Sequence, residues 1–235
     1  MKATTIYGPR DVRFEDQPDP GIHMPTDVIV RVVAACVCGS DLWFYRGDNP
    51  IKAPFRIGHE FVGIVEEVGA EVRSLRIGDF VIAPFMYSDN TCPHCQVGMQ
   101  SACSTGGNWG GDDRDGLMVD GGQGEFVRVP LADGTLVSTR ENPDAATIPS
   151  LLALSDVMGT GWHAAIAVRL ASGATLVLFC ASAAGLSCFS PPSRLSTASR
   201  LPIPPRTHRP HLTPPFTTPA PEPPPRHFPS ATTPD

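Results

Sequence analysis

Short apolar runs broken by glycine and proline dominate the first 150 residues. Residues 3–6 and 12–14 flank Gly8-Pro9, a turn signal, and predict an opening hairpin. Residues 27–35 (DVIVRVVAA) are rich in β-branched side chains and predict a central strand. A further strand is predicted over 61–68. Gly78-Asp79 then turns into an apolar strand over 80–83, and residues 124–129 return to alternation. Many short strands with glycine and proline turns predict a barrel-like β domain.

The character changes at Asn142-Pro143. Asn142 is a candidate N-cap with proline at the first helical position. Residues 145–153 and 161–170 have helical composition, and 174–179 (ATLVLF) predict a short, fully buried strand. From Phe189 onward proline, serine, threonine, arginine and alanine dominate. Such a stretch buries too little apolar area to offset its ordering entropy and predicts disorder. Three regions are expected: a β domain over 1–150, the start of an α/β domain over 151–186, and a disordered Pro-rich tail over 187–235. There is no internal repeat.

The 235 residues allow one large or two small domains, and a net charge of −6 gives no sign of nucleic-acid or membrane partners. No apolar run approaches the roughly 18 residues of a membrane span. Residues 1–6 lack the apolar core of a signal peptide, so a cytoplasmic protein is expected. The cysteines are Cys36, Cys38, Cys92, Cys95, Cys103, Cys180 and Cys188. An odd, clustered set without a signal reads as reduced and metal-binding rather than as a disulfide framework. Cys36 alone reads as a small core residue.

Candidate chemistry gathers in a few motifs. Gly58-His59-Glu60, with Gly63, Gly69 and Val72, gives G-H-E-x-x-G-x-x-x-x-x-G-x-x-V. Cys38-Gly39-Ser40-Asp41 precedes it, and Asp156 follows about a hundred residues later. Thiolate, imidazole and carboxylate together suit Zn2+. Cys92-Pro93-His94-Cys95 with Cys103 adds a C-x2-C-x7-C lobe. Gly78-Asp79-Phe80-Val81 and the stretch from Gly122 through Pro130 complete the set.

Over about residues 1–178 these motifs resemble the zinc-dependent alcohol dehydrogenases of the medium-chain dehydrogenase/reductase superfamily. The resemblance implies a mostly β, GroES-like barrel domain. A helical linker and the first strand of an incomplete Rossmann-type α/β domain would follow. It implies Cys38, His59 and Asp156 as ligands of a catalytic zinc, with a fourth position open. Glu60 resembles the glutamate that exchanges with water at that metal. Ser40 stands where the family keeps the hydroxyl that takes the substrate proton. Asp41 stands where a carboxylate orients the ligand histidine. Trp43 replaces the relay histidine of some relatives. The implied partners are a small-molecule alcohol or carbonyl substrate and NAD(P), with zinc as Lewis acid. Family members are homo-oligomers.

The cysteine lobe resembles the family's structural zinc site, C-x2-C-x2-C-x7-C. Cys92, Cys95 and Cys103 fill its last three positions, and Asp89 falls on the first. Asp89 is thus the implied fourth ligand, with His94 as the rival.

The resemblance stops near residue 179. There the family has G-x-G-x-x-G, whose glycines let the backbone approach the cofactor pyrophosphate. Aligned on Gly185, the first two glycines are Cys180 and Ser182, whose side chains crowd the phosphate. No acidic residue stands about twenty positions on to hold a ribose. The expectation is a chain without a competent NAD(P) site, and the alternative to an enzyme is a non-enzymatic zinc-binding fragment. A frameshift near 179, in the gene or in its reading, is the expected origin of the change. Ser190-Pro191-Pro192-Ser193 is what GC-rich codons for Ala-Ala-Lys give one base out of register. A proline-rich tail that binds aromatic grooves is the rival reading. Exposed apolar surface and aggregation are expected to accompany the loss.

Overall fold

A computed structural model describes residues 1–139 and 141–167 of the chain. The described part is mostly β, as the short apolar runs predict. The opening hairpin forms from β1 (Lys2–Gly8) and β2 (Asp11–Asp16), with β4 (Phe55–Arg56) on the other edge of β1. The larger sheet has five antiparallel strands in the order β11 (Phe126–Val129), β3 (Val28–Ala35), β5 (Phe61–Val68), β6 (Phe80–Ala83) and β12 (Val137–Ser138). Two short ladders pair β7 (Met86–Tyr87) with β8 (Gly107–Asn108), and β9 (Gly111–Asp112) with β10 (Met118–Val119). A bridge from Ala3 to Gly124 ties the hairpin to the approach of β11.

Strand β3 runs between β11 and the central strand β5 of the larger sheet. Its β-branched residues fit a pleated surface packed on two sides. Val28 and Val30 enter the main core with Phe61, Val65, Val81, Ala83, Val127 and Val129. Trp109 packs edge-on against Phe61, with ring centroids 5.1 Å apart, and against Tyr87 at 5.9 Å. Alternate residues of the same strands face the other way. Val62, Phe80 and Ile82 meet Leu152 of α4 (Ile148–Leu152). Strand β6 is therefore covered on both faces, and all four of its residues are buried. Double coverage produces an unbroken apolar run instead of alternation.

The chain enters β3 through a buried ion network. The Asp27 carboxylate accepts the N–H groups of His23 and Met24 and lies 3.2 Å from Arg128. Arg128 also pairs with Asp113. A third cluster, Ile6, Phe55 and Ile57 with Phe44, lies beneath α1 (Asp41–Arg46).

The helices differ from expectation at their starts. Asn142 and Pro143 lie in irregular chain, and α4 begins at Ile148 with Pro149 in its first turn. The reason is local: the Asp144 carboxylate accepts the Thr147 N–H at 2.8 Å, and this capping bond three residues on takes the place of an Asn142 cap. Helix α5 (Val157–Ala167) starts before the expected residue 161, because the Asp156 carbonyl already accepts the Thr160 N–H. The expected end of that helix at 170, the strand over 174–179, Cys180, Ser182 and the tail lie outside the described residues. Among the described residues no helix is long and apolar enough to cross a membrane.

Candidate metal centres

Three segments bring the first set of candidate residues together. The first is the end of β3. Cys36 N–H donates to the Glu60 carbonyl at 2.9 Å and so prolongs the pairing with β5. The chain then turns. Cys38 N–H donates to Asp41 Oδ2 at 2.9 Å, and Asp41 N–H returns to the Cys38 carbonyl at 3.2 Å. This closed Cys-Gly-Ser-Asp turn buries Asp41, which is 5% exposed, and opens α1. Ser40 stands at the N-cap of α1, yet its hydroxyl makes no capping bond. It lies instead 3.4 Å from His59 Nε2.

The second segment carries His59 into β5. Gly58 has φ +104°, and a Cβ there would overlap the Gln123 side chain. At Gly63 a Cβ would overlap the Arg31 carbonyl of β3. The glycines of the His59 motif thus allow a tight entry and a close strand pairing.

The third segment joins α4 to α5. Leu152 anchors α4 on the sheet, and Phe85 N–H donates to the Ser155 carbonyl at 3.0 Å. Asp156 follows directly, and its Oδ1 accepts the Thr160 hydroxyl at 3.1 Å. Neither the Phe85 clip nor the Thr160 contact is visible in the motifs.

The outcome is one cluster. Donor atoms of Cys38, His59, Glu60 and Asp156 all lie within 4.8 Å of one another. Asp156 Oδ2 is 3.7 Å from Cys38 Sγ and 3.6 Å from His59 Nε2. Asp41 Oδ1 is 3.2 Å from the other ring nitrogen, Nδ1. Glu60 is 5% exposed, and its Oε1 is buried without a hydrogen-bond partner.

The electrostatics point the same way. Burial works against charge on the His59 ring, but Asp156 and Asp41 outweigh it and the imidazole is pushed up to about 11. Burial raises the Glu60 carboxyl, with Cys38 opposing and Asp156 adding to the rise. The bond to His59 holds Asp156 low. Acidic donors therefore crowd one imidazole. An orphaned buried carboxylate oxygen beside a thiol, an imidazole and a second carboxylate fits a zinc ion.

The second cluster lies in the lobe around α2 (Pro93–Gln96). Donors of Asp89, Cys92, Cys95 and Cys103 lie within 4.8 Å of one another. Cys92 Sγ is 3.5 Å from Cys95 Sγ and 3.9 Å from Cys103 Sγ. His94, between two of these cysteines, is not in this group. Asp89 Oδ1 accepts the N–H groups of Thr91 and Cys92, and Oδ2 accepts the Thr105 hydroxyl at 2.7 Å. Burial opposes ionisation of Asp89, but these donors hold its carboxyl well below the usual range. Thr105 is a lobe residue that spacing alone did not reveal. Three sulfurs and one ionised carboxylate fit a zinc ion equally well.

Comparison with known proteins bears on the β domain as a whole. The alcohol dehydrogenase GroES-like domain family matches residues 24–139. A medium chain reductase/dehydrogenase of Acremonium sp is 38% identical over 166 residues, which are 70% of this chain and 54% of that protein. A probable zinc-binding alcohol dehydrogenase of Mycobacterium tuberculosis is 34% identical over 186 residues, covering 79% of this chain and 47% of its own length. A solved zinc dependent alcohol dehydrogenase from Streptococcus pneumonia superposes with a TM-score of 0.68 at 32% identity, over 80% of this chain and 51% of that one. The chain spans about half the length of the curated relatives it matches. Residues 24–139 thus form an alcohol dehydrogenase GroES-like domain, and the chain is similar to the zinc-type alcohol dehydrogenases of the medium-chain dehydrogenase/reductase family over about half of their length.

Proposed function

We propose that residues 1–167 carry the zinc-binding half of an alcohol dehydrogenase acting on a small-molecule alcohol or carbonyl. The observation that carries this reading is the convergence of Cys38, His59, Glu60 and Asp156 from three segments onto one cluster. Cys38, His59 and Asp156 would hold a zinc ion, with Glu60 as an exchangeable fourth donor. When bound, zinc supplies Lewis acidity toward an alcohol or carbonyl oxygen. The Ser40 hydroxyl, beside the His59 ring, takes the substrate proton. Asp41 fixes the ring of His59 through Nδ1. Trp43, half exposed on α1, offers an apolar wall to the substrate. Asp89, Cys92, Cys95 and Cys103 would hold a second, structural zinc.

The sequence disfavours the NAD(P) partner of the family for this chain. On the family's spacing Cys180 and Ser182, outside the described residues, stand at two glycine positions of the nucleotide motif. This favours a second reading, in which the chain binds zinc without turning over an alcohol. Zinc analysis together with NAD(P)H fluorescence titration separates the two. Two zinc ions per chain without nucleotide binding supports the zinc-binding fragment, and saturable nucleotide binding with turnover supports the enzyme. A chain purified without zinc in the first cluster overturns both.

A further inference from the structure

Gln123 belongs to the motif before β11, yet that motif assigns no role to its side chain. Its backbone is held from both sides. The N–H donates to the Ile57 carbonyl at 3.0 Å, and the carbonyl accepts the Thr4 N–H at 2.8 Å. A side chain so anchored has little freedom in where it points. Its stem covers Gly58, the residue before His59, with no room for a Cβ between them. Its Nε2 donates to the Cys36 carbonyl at 3.1 Å. The same nitrogen lies 3.5 Å from Asp41 Oδ2.

These contacts join the two motifs of the first cluster. Asp41 Oδ2 is the oxygen that accepts the Cys38 N–H, and Oδ1 faces His59 Nδ1. The Cys36 carbonyl stands two residues before Cys38. A primary amide has two N–H bonds and can serve a carbonyl and a carboxylate together. Asp41 is buried, so a donor lost there is not replaced by bulk water.

We propose that Gln123 is a positioning residue for the first metal centre. Its amide holds Asp41, and through Asp41 the ring of His59, while its stem shapes the turn at Gly58. Two variants separate these parts. Gln123→Met keeps a stem of similar length and removes both N–H bonds. Gln123→Glu keeps the shape and sets a carboxylate against Asp41. The inference rests on the zinc reading above, and the experiment tests that reading first.

The full chain is stripped of metal and titrated with Co2+, whose visible absorption reports ligand geometry. The unaltered chain is expected to take up two equivalents, one of which Asp156→Asn abolishes. A chain that takes up only one, unaffected by Asp156→Asn, overturns the zinc reading and this inference with it. Where the unaltered chain binds two, both Gln123 variants are expected to bind the Asp156-dependent equivalent about ten-fold more weakly. Its absorption bands shift and the other equivalent stays unchanged. Unaltered affinity and bands at that site in both variants overturn the positioning role alone. Loss of both equivalents together in both variants also overturns it, because a general folding defect explains that result.

Discussion

The backbone N–H of Phe85 donates to the carbonyl of Ser155 at 3.0 Å, and this bond ties the chain after β6 to the residue before Asp156. The other support of Asp156 is apolar. Leu152 is buried against Val62, Phe80 and Ile82, and Ile148 and Leu151 pack beside it. Leu152→Ala is therefore expected to cost about 2–4 kcal/mol, read as a lowered Tm. It should also loosen the Asp156 segment and weaken metal uptake at the first centre while the lobe keeps its zinc. Unchanged uptake at both centres would show that the Phe85 clip alone positions Asp156.

Asp156 supplies the only donor of the first cluster that comes from beyond residue 139. Asp156→Asn preserves its shape and its bond with the Thr160 hydroxyl but removes the charge. Zinc content is expected to fall from two ions per chain to one. The circular dichroism spectrum should not change, since Asp156 lies outside the core clusters. Two ions retained after dialysis against a moderate chelator would remove Asp156 from the ligand set.

How much of this was legible in the sequence differs by element. Strands β1, β2, β3, β5 and β6 were readable because each carries its own apolar run between turn residues. The five-stranded order was not, since pairing β11 with β3 joins segments about a hundred residues apart. The start of α4 departs from the Asn142-Pro143 signal because Asp144 caps a turn ahead of the helix. The motifs point to Cys38, His59, Glu60 and Asp156, and the donor atoms of these four do gather in one cluster. Gln123, Phe85 and Thr160 were not legible, because each acts through a contact that exists only after folding. An amide facing a carboxylate 82 positions away leaves no trace in local spacing.

Asp89 has two separable duties. Its Oδ1 orders the turn into Cys92 by accepting two N–H groups, and its charge would complete the donor set for a zinc ion in the lobe. Asp89→Ala removes both and is expected to lose the lobe zinc. Asp89→Asn keeps an acceptor for the Thr91 and Cys92 N–H groups while removing the charge. It should retain the fold and bind the lobe zinc at least about ten-fold more weakly. Zinc content and affinity in the Asn variant equal to those of the unaltered chain would reassign Asp89 to a purely structural role.

The three lobe thiols should differ sharply once metal is stripped. Backbone N–H groups of Ser104 and Cys95 stabilise the Cys92 thiolate and bring its pKa down to about 6, whereas burial pushes Cys95 up to about 12. At pH 7 Cys92 is then mostly thiolate and Cys95 is thiol, and the thiolate is the nucleophile. Alkylation of Cys92 by iodoacetamide should rise as pH increases through about 6 and level off by pH 7.5. Cys95 should stay unmodified over the same range. A peroxide should oxidise Cys92 to a sulfenic acid, and Cys95, 3.5 Å away, would close a disulfide with release of water. Peptide mapping is expected to find the Cys92–Cys95 disulfide with Cys103 still a free thiol. Zinc should suppress both reactions by holding the sulfurs. Equal alkylation of Cys92 and Cys95, or a first disulfide involving Cys103, would show that the lobe rearranges when its metal is removed.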